Sequence, residues 1–307
     1  MRVGAVVVNW NGGEENLVCL RALLEQGLAP QAIAFVDNGS RDGSLERVRA
    51  AHPHLQWIGN ATNLGFGAGA NQGIRARLER GDEAVFLVNN DLELAPGCLA
   101  TLVAALERGP RLGIVGPRVL YQHERTRVWA AGGRLTFRQN LSELLGHGAP
   151  DGARWQETRT VDYVPGCAML VRAEVFRDAG LFEAEYFAYH EDVELCISAR
   201  EHGWHSQVIG SAAAWHTAGS STGGGYGARR KYMVGLNTVH FLRKHGTLRR
   251  WLGFALFDVA SLPFLLVLAP WRGRTRAVLA KAKGIWDGLR GRRVEASALE
   301  PGASWLW

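Results

Sequence analysis

The feature that most constrains this chain is a fourfold alternation of apolar runs and helical patterns in its first third. Val3 to Val8 is β-branched and apolar, as a buried strand requires. "NWNGG" breaks it, and Leu17, Leu20 and Leu24 then recur at helical spacing. Ala32 to Val36 gives a second strand, with Leu45 and Val48 marking a short helix before Pro53. Leu55 to Ile58 gives a third, followed by Ala70, Ile74 and Leu78 on one helical face. Ala84 to Val88 gives a fourth, and Pro96 opens a helix carrying Leu99, Leu102, Val103 and Leu106. Strands separated by helices predict an α/β fold, a mostly parallel sheet flanked by helices.

Ligands in such sheets bind beyond the carboxyl ends of the strands. The polar clusters "NWN", "DNGS", "NAT" and "NND" all fall there. "AVFLVNND" is the sharpest case: a buried strand runs straight into Asn89, Asn90 and Asp91, with Glu93 just beyond. Asp91 and Glu93 offer oxygen ligands to a hard divalent cation, although a helix cap ahead of Pro96 would also use one acid. "GFGAGA", Gly65 to Ala70, nearly fits a dinucleotide fingerprint. It follows the third strand instead of the first, so the narrower expectation is a helix start that favours phosphate, with a ligand-free tight loop as the plain alternative.

From Gly113 the rhythm changes. "GIVGP", "RVWAAGG", "VDYVPG" and "AMLVRA" read as short strands among loops, and a helix is expected from Asp192 to His202. "YHEDVELC" sets Glu191 and Asp192 at that helix start, where the dipole stabilises carboxylates. They suit either simple capping or a general base. His216, in "WHTAGSST", is expected in a polar loop, as a structural imidazole or a metal ligand.

The four cysteines, Cys19, Cys98, Cys167 and Cys196, are far apart and in apolar surroundings, so buried free thiols are expected. The opening "MRVGAVVVNWNGG" does not read as a signal peptide, because Asn9 and Asn11 interrupt a short apolar run. The formal charge of +6 is unevenly spread: Arg243 to Arg293 carries 12 Lys/Arg against Asp258 and Asp287. A basic tail on a mildly acidic body implies an anionic partner. No nucleic-acid module accompanies the charge, so nucleic acid is not expected.

Taken in order, "VVVNWNG", "VDNGSRDGS", "NLGFGAGANQGI", "LVNNDLEL", "VPGCAMLVRAEVFRDAGLFE", "YFAYHEDVELCISAREHGW" and "WHTAGSST" resemble the inverting glycosyltransferases of family 2, which have the Rossmann-like GT-A fold. The similarity is strongest to rhamnosyltransferases of cell-surface polysaccharide assembly and covers Met1 to about Tyr232. The resemblance implies that Asn9, Asn11 and Asp37 contact the nucleoside of a nucleotide-sugar. Asn63, Gly65 and Asn71 would follow its ribose and diphosphate, joined by Asn89 and Asn90. Asn89 stands where the family's Asp-x-Asp motif has its first Asp. Asp91 and His216 would bind Mg2+ or Mn2+, Asp192 would be the catalytic base, and Glu191 and Gly166 would hold the acceptor. The implied donor is a dTDP- or UDP-sugar, with dTDP-rhamnose first, and the implied acceptor is a saccharide, free or carried on a polyprenyl diphosphate. The rival readings are a non-catalytic nucleotide-sugar or lipid-binding protein with a decayed site and, more remotely, a nicotinamide dehydrogenase.

The expected division is a catalytic domain over 1–240 and a basic, apolar helical region over 241–307. Trp251 to Trp271 approaches membrane-spanning length, but Asp258 and Pro263 interrupt it. Beyond it, Val278, Ala282, Ile285, Trp286 and Leu289 form one helical face, with Arg276, Lys283 and Arg290 opposite. Two helices on an anionic membrane surface are expected, which places the protein on the cytoplasmic face of the membrane. A helical hairpin packed on the protein, or on a second copy in a homodimer, is the alternative.

Overall fold

The computed structural model describes residues 1–138, 140–217, 227–300 and 302–307. The chain separates into two compact units. Unit 1 comprises 1–134, 144–183 and 192–221, and unit 2 comprises 135–143, 184–191 and 222–307. A boundary at 240 would instead cut a continuous helix, Ala228–His245.

Unit 1 is built on strands β1 (Val3–Asn9), β2 (Ile33–Asp37), β3 (Gln56–Gly59), β4 (Ala84–Asn89), β5 (Leu92–Leu94), β6 (Leu112–Tyr121), β7 (Val128–Ala130), β8 (Gly133–Leu135), β9 (Ser142–Leu144), β10 (Arg159–Thr160), β11 (Ala168–Arg172) and β12 (His205–His216). Some of β8 and β9 falls in unit 2. The main sheet runs β10-β12-β6-β11-β4-β1-β2-β3, with β5 on β12 and β7 on β6. β1, β2, β3 and β4 pair in parallel, and β11 runs antiparallel between β4 and β6. The sheet is therefore mixed, with its parallel half made by the four predicted strands.

Helices α1 (Glu15–Glu25), α2 (Ser44–Ala51), α3 (Phe66–Glu79), α4 (Cys98–Arg108), α5 (Ala153–Gln156), α6 (Ala173–Ala179) and α7 (Glu191–Glu201) complete the first part. Period-two alternation sorts β1 between two faces. Ala5 and Val7 join Leu20, Leu23, Phe35, Phe86 and Leu102 in the main core. Each large side chain sealed there contributes about 1.5–3 kcal/mol. Val6 points the other way, towards α3. A Cβ on Gly73 would meet Val6 Cγ1 at 2.5 Å, and one on Gly69 would meet Val8 Cγ1 at 3.3 Å. Much of the glycine pattern in "GFGAGANQG" is thus explained by helix-to-strand packing.

Two predicted strands differ. "GIVGP" belongs to a ten-residue strand, β6. "VDYVPG" forms no strand, and only Tyr163 bridges, to Gly133. Tyr163 and Val164 are buried there all the same. The four cysteines are free and buried, as expected.

Unit 2 contains α8 (Ala228–His245), α9 (Leu248–Phe254), α10 (Leu262–Leu268), α11 (Thr275–Leu289) and α12 (Ala296–Leu299), with a π-helical turn at Ala255–Val259. From Leu248 to Leu268 the helix has a mean hydropathy of 2.0 and is long and apolar enough to cross a membrane. Its two sides differ. Phe254 and Asp258 are buried, with Trp251 and Leu262 packed beside Phe254, Val239, Leu242 and Ile285. Leu248, Leu252, Leu256, Phe264 and Val267 are exposed.

α11 is not the surface helix that its pattern suggested. It packs on α8 through small residues. A Cβ on Gly284 would meet Tyr232 O at 2.0 Å, and one on Gly288 would meet Leu236 O at 2.9 Å. Val278 and Ile285 are buried, while Trp286 and Leu289 stay exposed.

Candidate active site

Strand register brings the polar ends of unit 1 together. Asn9 lies beside Asp37, and Val8 beside Asn89. Asn9 is fully buried and its amide is saturated. Its Nδ2 donates to Asp37 Oδ1 at 2.8 Å, Ser44 Oγ at 2.9 Å and Ser40 Oγ at 3.0 Å. Its Oδ1 accepts from Gly12 N and Asn16 Nδ2, each at 3.0 Å, and from Asn90 Nδ2 at 3.3 Å. Asn90 also donates to Asn16 Oδ1 at 3.1 Å. Asn9 is therefore a bracket that ties these loops together with its amide fully used, and Asn90 Nδ2 is spent on the same cluster. Asn71 is likewise committed, bonded in both directions to the Phe182 main chain at 2.7 and 3.0 Å.

Asp37, Asn11, Asn63 and Gly65 keep positions at this rim. Each Asp37 oxygen accepts a bond, from Asn9 and from Ser40 N, and a carboxylate has capacity for more. Asn11 is exposed at a φ of 53°, its side chain accepting from Arg41 N at 2.8 Å. Gly65, at a φ of 88°, precedes α3. Asn63 Oδ1 accepts from Gly65 N at 2.9 Å. Sequence reading missed Asn16 and Asn38. Asn38 is 2% exposed and donates to Asn63 Oδ1 and Gly65 O, which shapes the whole loop. The signal was available: an amide on the otherwise apolar face of α1, and a second amide directly after β2.

Asp91 follows β4 and precedes β5. β5 pairs antiparallel with the end of β12, so His216 lies opposite Leu92. His216 Nε2 stands 3.0 Å from Asp91 Oδ1, and both side chains are 6% exposed. His216 ends β12, so it is on a strand, not in a loop. The Trp129 ring meets the imidazole edge-on at 4.6 Å between centroids. His216 Nδ1 is buried with no hydrogen-bond partner. Of "WHTAGSST", the part from residue 218 on lies outside the described residues. Glu93 is not brought to Asp91: it pairs with Arg125 at 2.6 Å and Gln122 at 2.8 Å.

Among the described residues no three acidic, His or Cys groups converge as a metal cage. One carboxylate and one imidazole do converge. That set suits Mn2+ or Mg2+ if substrate phosphates supply other ligands, as they usually do for Mg2+. The residues fit the group.

Asp192 is half-buried, and its removal from water raises its carboxyl above the ordinary 3.8. Gly166 N donates to its Oδ2 and Val193 N to its Oδ1, each at 2.8 Å, and these bonds oppose the shift. Gly166 thus touches the carboxylate itself, a role the sequence did not suggest. Cys167 connects the two acidic centres. Burial first, then the charges of Asp91 and Asp192, hold its thiol well above the usual range. Glu191, buried, begins α7 one residue before Asp192. A cavity of about 500 Å³ lined by Arg108, Arg111 and His205 contains none of these groups.

Unit 1 thus carries an Asp–His pair at the end of its parallel half-sheet and a separate carboxylate, Asp192, held by two main-chain N–H groups. The description "glycosyltransferase like family 2" matches residues 2–232, and the chain belongs to that family. An N-acetylglucosaminyl-diphospho-decaprenol L-rhamnosyltransferase of Mycobacterium tuberculosis is 30% identical over 213 residues, 63% of this chain and 69% of that one. A low-salt glycan biosynthesis hexosyltransferase of Haloferax volcanii is 26% identical over 196 residues, 64% of this chain and 60% of the relative. A mannosyltransferase from Pyrobaculum calidifontis, solved with GDP-Man and Mn2+, superposes with a TM-score of 0.59 at 15% identity, over 95% of this chain and 88% of that one. The fold is GT-A, with a C-terminal helical extension that includes one apolar helix.

Proposed function

We propose that this chain moves a sugar, with inversion, from a dTDP- or UDP-sugar to a hydroxyl of a lipid-linked saccharide at the cytoplasmic face of a membrane. The observation that carries the reading is the Asp91–His216 pair at 3.0 Å in the same unit as a second, half-buried carboxylate, Asp192, that Gly166 N and Val193 N hold in place. One centre suits a leaving diphosphate and the other suits proton removal. Asp192 takes the acceptor hydroxyl proton as that oxygen attacks the anomeric carbon, and the nucleoside diphosphate departs with the bonding pair. Its raised pKa makes it a stronger base than an exposed carboxylate. Glu191 and the Gly166 turn would border the acceptor.

Asp91 and His216 would hold Mg2+ or Mn2+, which supplies positive charge for the departing diphosphate when bound. The first turn of α3, after Gly65, would add main-chain N–H groups to the same task. Asp37 and Asn11 would meet the nucleoside. Rhamnose as the sugar and a diphosphate-linked lipid as the acceptor are supported by the name of the mycobacterial relative. The exposed apolar side of Leu248–Leu268 beside basic residues supports a membrane-surface location.

The test is transfer from a panel of nucleotide-sugars, dTDP-rhamnose first, to a polyprenyl-diphosphate-linked sugar, read by mass spectrometry. Wild type should form product and Asp192→Asn should not, while donor binding persists. Wild-type protein that binds no donor and transfers none would overturn the reading.

A further inference from the structure

Unit 2 contains a short stretch whose backbone is held in a form that its side chains resist. Phe187, Tyr189 and His190 have φ of 59°, 70° and 73°, in the left-handed region. A Cβ crowds the main chain there, so bulky residues seldom adopt it. Elsewhere the chain meets such turns with glycine, as at Gly65 and Gly180. Non-glycine residues persist in that region only where their surroundings over-determine the backbone, and such places cluster at functional sites. The stretch leads into Glu191, the buried first residue of α7.

The surroundings are supplied by α8. Asn237 is fully buried, and its Nδ2 donates to three main-chain carbonyls, those of Tyr186 and Ala188 at 2.9 Å and that of Tyr189 at 2.7 Å. Two hydrogens serve three oxygens, so one amide is the hub on which the stretch is wound. Its orientation is fixed, because a flipped amide would set Oδ1 against three carbonyl oxygens. Oδ1 is buried and finds no hydrogen-bond partner among the described residues. An unmet buried acceptor costs stability, so this side chain serves its donor side at the expense of its acceptor side. One turn further along α8, His240 Nε2 lies 3.0 Å from Glu185 Oε2, and the imidazole meets the Tyr186 ring edge-on at 5.1 Å between centroids. Arg293 pairs with the same Glu185. Phe187, Ala188 and Tyr189 pack against the cluster of Tyr232, Met233 and Leu236. Every one of these groups belongs to unit 2.

We propose that Asn237 is a positioning residue for the acceptor saccharide: it holds the main chain of 186–190 so that Glu191 meets the acceptor in one fixed conformation. The inference rests on the transfer reading, in which Glu191 borders the acceptor, and adds the residue that fixes it there. Hydrogen bonds to a sugar hydroxyl are directional, so a carboxylate at the end of a wandering loop would bind it weakly. A loop ordered before binding spares the acceptor the entropy of ordering it.

The test uses the full chain as Asn237→Ser, which keeps one hydroxyl donor, and Asn237→Leu, which keeps the volume and no donor. Thr238→Val is the control, since it removes a buried bond to Val234 O at 2.7 Å within the same helix and leaves Asn237 in place. Backbone hydrogen exchange, read by mass spectrometry, follows 184–191. Calorimetry follows dTDP and a farnesyl-diphosphate-linked N-acetylglucosamine. Asn237→Leu should speed exchange of 184–191 and weaken the acceptor probe at least tenfold each, and Asn237→Ser about threefold, with dTDP affinity unchanged. Thr238→Val should change neither. Should the Leu chain not fold, Asn237→Ser carries the comparison alone. Unchanged exchange over 184–191 would show that Asn237 does not hold the stretch. Faster exchange with unchanged acceptor affinity would make the amide merely structural, and an equal loss for dTDP would make the effect global. Each of these outcomes overturns the proposal. A wild-type chain that binds the probe and transfers no sugar, with variants that show the expected pattern, keeps this role for Asn237 and rejects the transfer reading.

Discussion

The Gly166 main-chain N–H points at Asp192 Oδ2 across 2.8 Å, and there is almost no spare room between the two residues. A Cβ added at Gly166 would stand 3.2 Å from Asp192 Cβ. Gly166 is thus a positioning residue for the proposed base. Gly166→Ala should lower kcat more than it raises the donor KM, since the group it displaces is the proposed base. An unchanged kcat would show that Asp192 tolerates the displacement and is not acting at the reacting atoms.

The same carboxylate predicts a pH dependence. A base must be ionised to work. Burial raises the Asp192 pKa above 3.8, so activity should be complete above that raised value and lost as pH falls through it. The acid limb of kcat/KM should therefore lie above the position of an ordinary exposed carboxylate. Asp192→Asn should remove the limb and about 10²–10⁴ of the rate. A limb that persists in the Asn variant would belong to another group.

Metal removal gives a third expectation. With one carboxylate and one imidazole as the proposed protein ligands, affinity should depend on the donor phosphates. Chelation should abolish transfer, Mn2+ should restore it, and His216→Ala should raise the Mn2+ concentration needed. Mn2+ binding followed by electron paramagnetic resonance should be weak without a nucleoside diphosphate and tighter with one. Tight binding without nucleotide would point to more protein ligands than this pair.

Much of this was legible in the chain, and the losses have physical causes. β1 to β4 with α1 to α4 followed from local patterning, because each strand is buried and each helix has one apolar face. The rim position of Asn9, Asp37 and Asn90 followed too. Their individual roles did not: whether an amide is free or saturated depends on partners such as Asn16 and Asn38, and those contacts exist only once the loops converge. α11 misled for a related reason. Its buried face includes Lys281, Gly284, Asp287 and Gly288 beside Val278 and Ile285, and hydropathy ranks those charged and glycine positions as solvent-facing. Close approach by α8 and the Asp258 partner, 23 positions earlier, reverse that ranking.

Asn9 separates a structural amide from a ligand-binding one. Asn9→Ala would strand Asp37, Asn16 and Asn90 in a buried setting, and each unmet buried polar group costs about 1–3 kcal/mol. The melting temperature should fall by several degrees with or without nucleotide. Asn11→Ala, at an exposed position, should leave the melting temperature nearly unchanged and weaken donor binding. The reverse pattern would restore Asn9 to the nucleoside site.

The apolar side of Leu248–Leu268 supplies the last prediction. Leu252, Leu256, Phe264 and Val267 are each more than 60% exposed, while Phe254 and Asp258 on the other side are buried. Changing the four exposed residues to Ser removes apolar surface without touching the Asp258–Lys281 pair. The monomer should keep its melting temperature, since those side chains stabilise nothing within the chain. Co-sedimentation with vesicles of phosphatidylglycerol should drop more than tenfold, because surface binding scales with buried apolar area plus attraction to anionic lipid. If vesicle binding survives and the variant instead shifts from dimer to monomer in solution, a second copy of the chain covers this face and the membrane assignment fails.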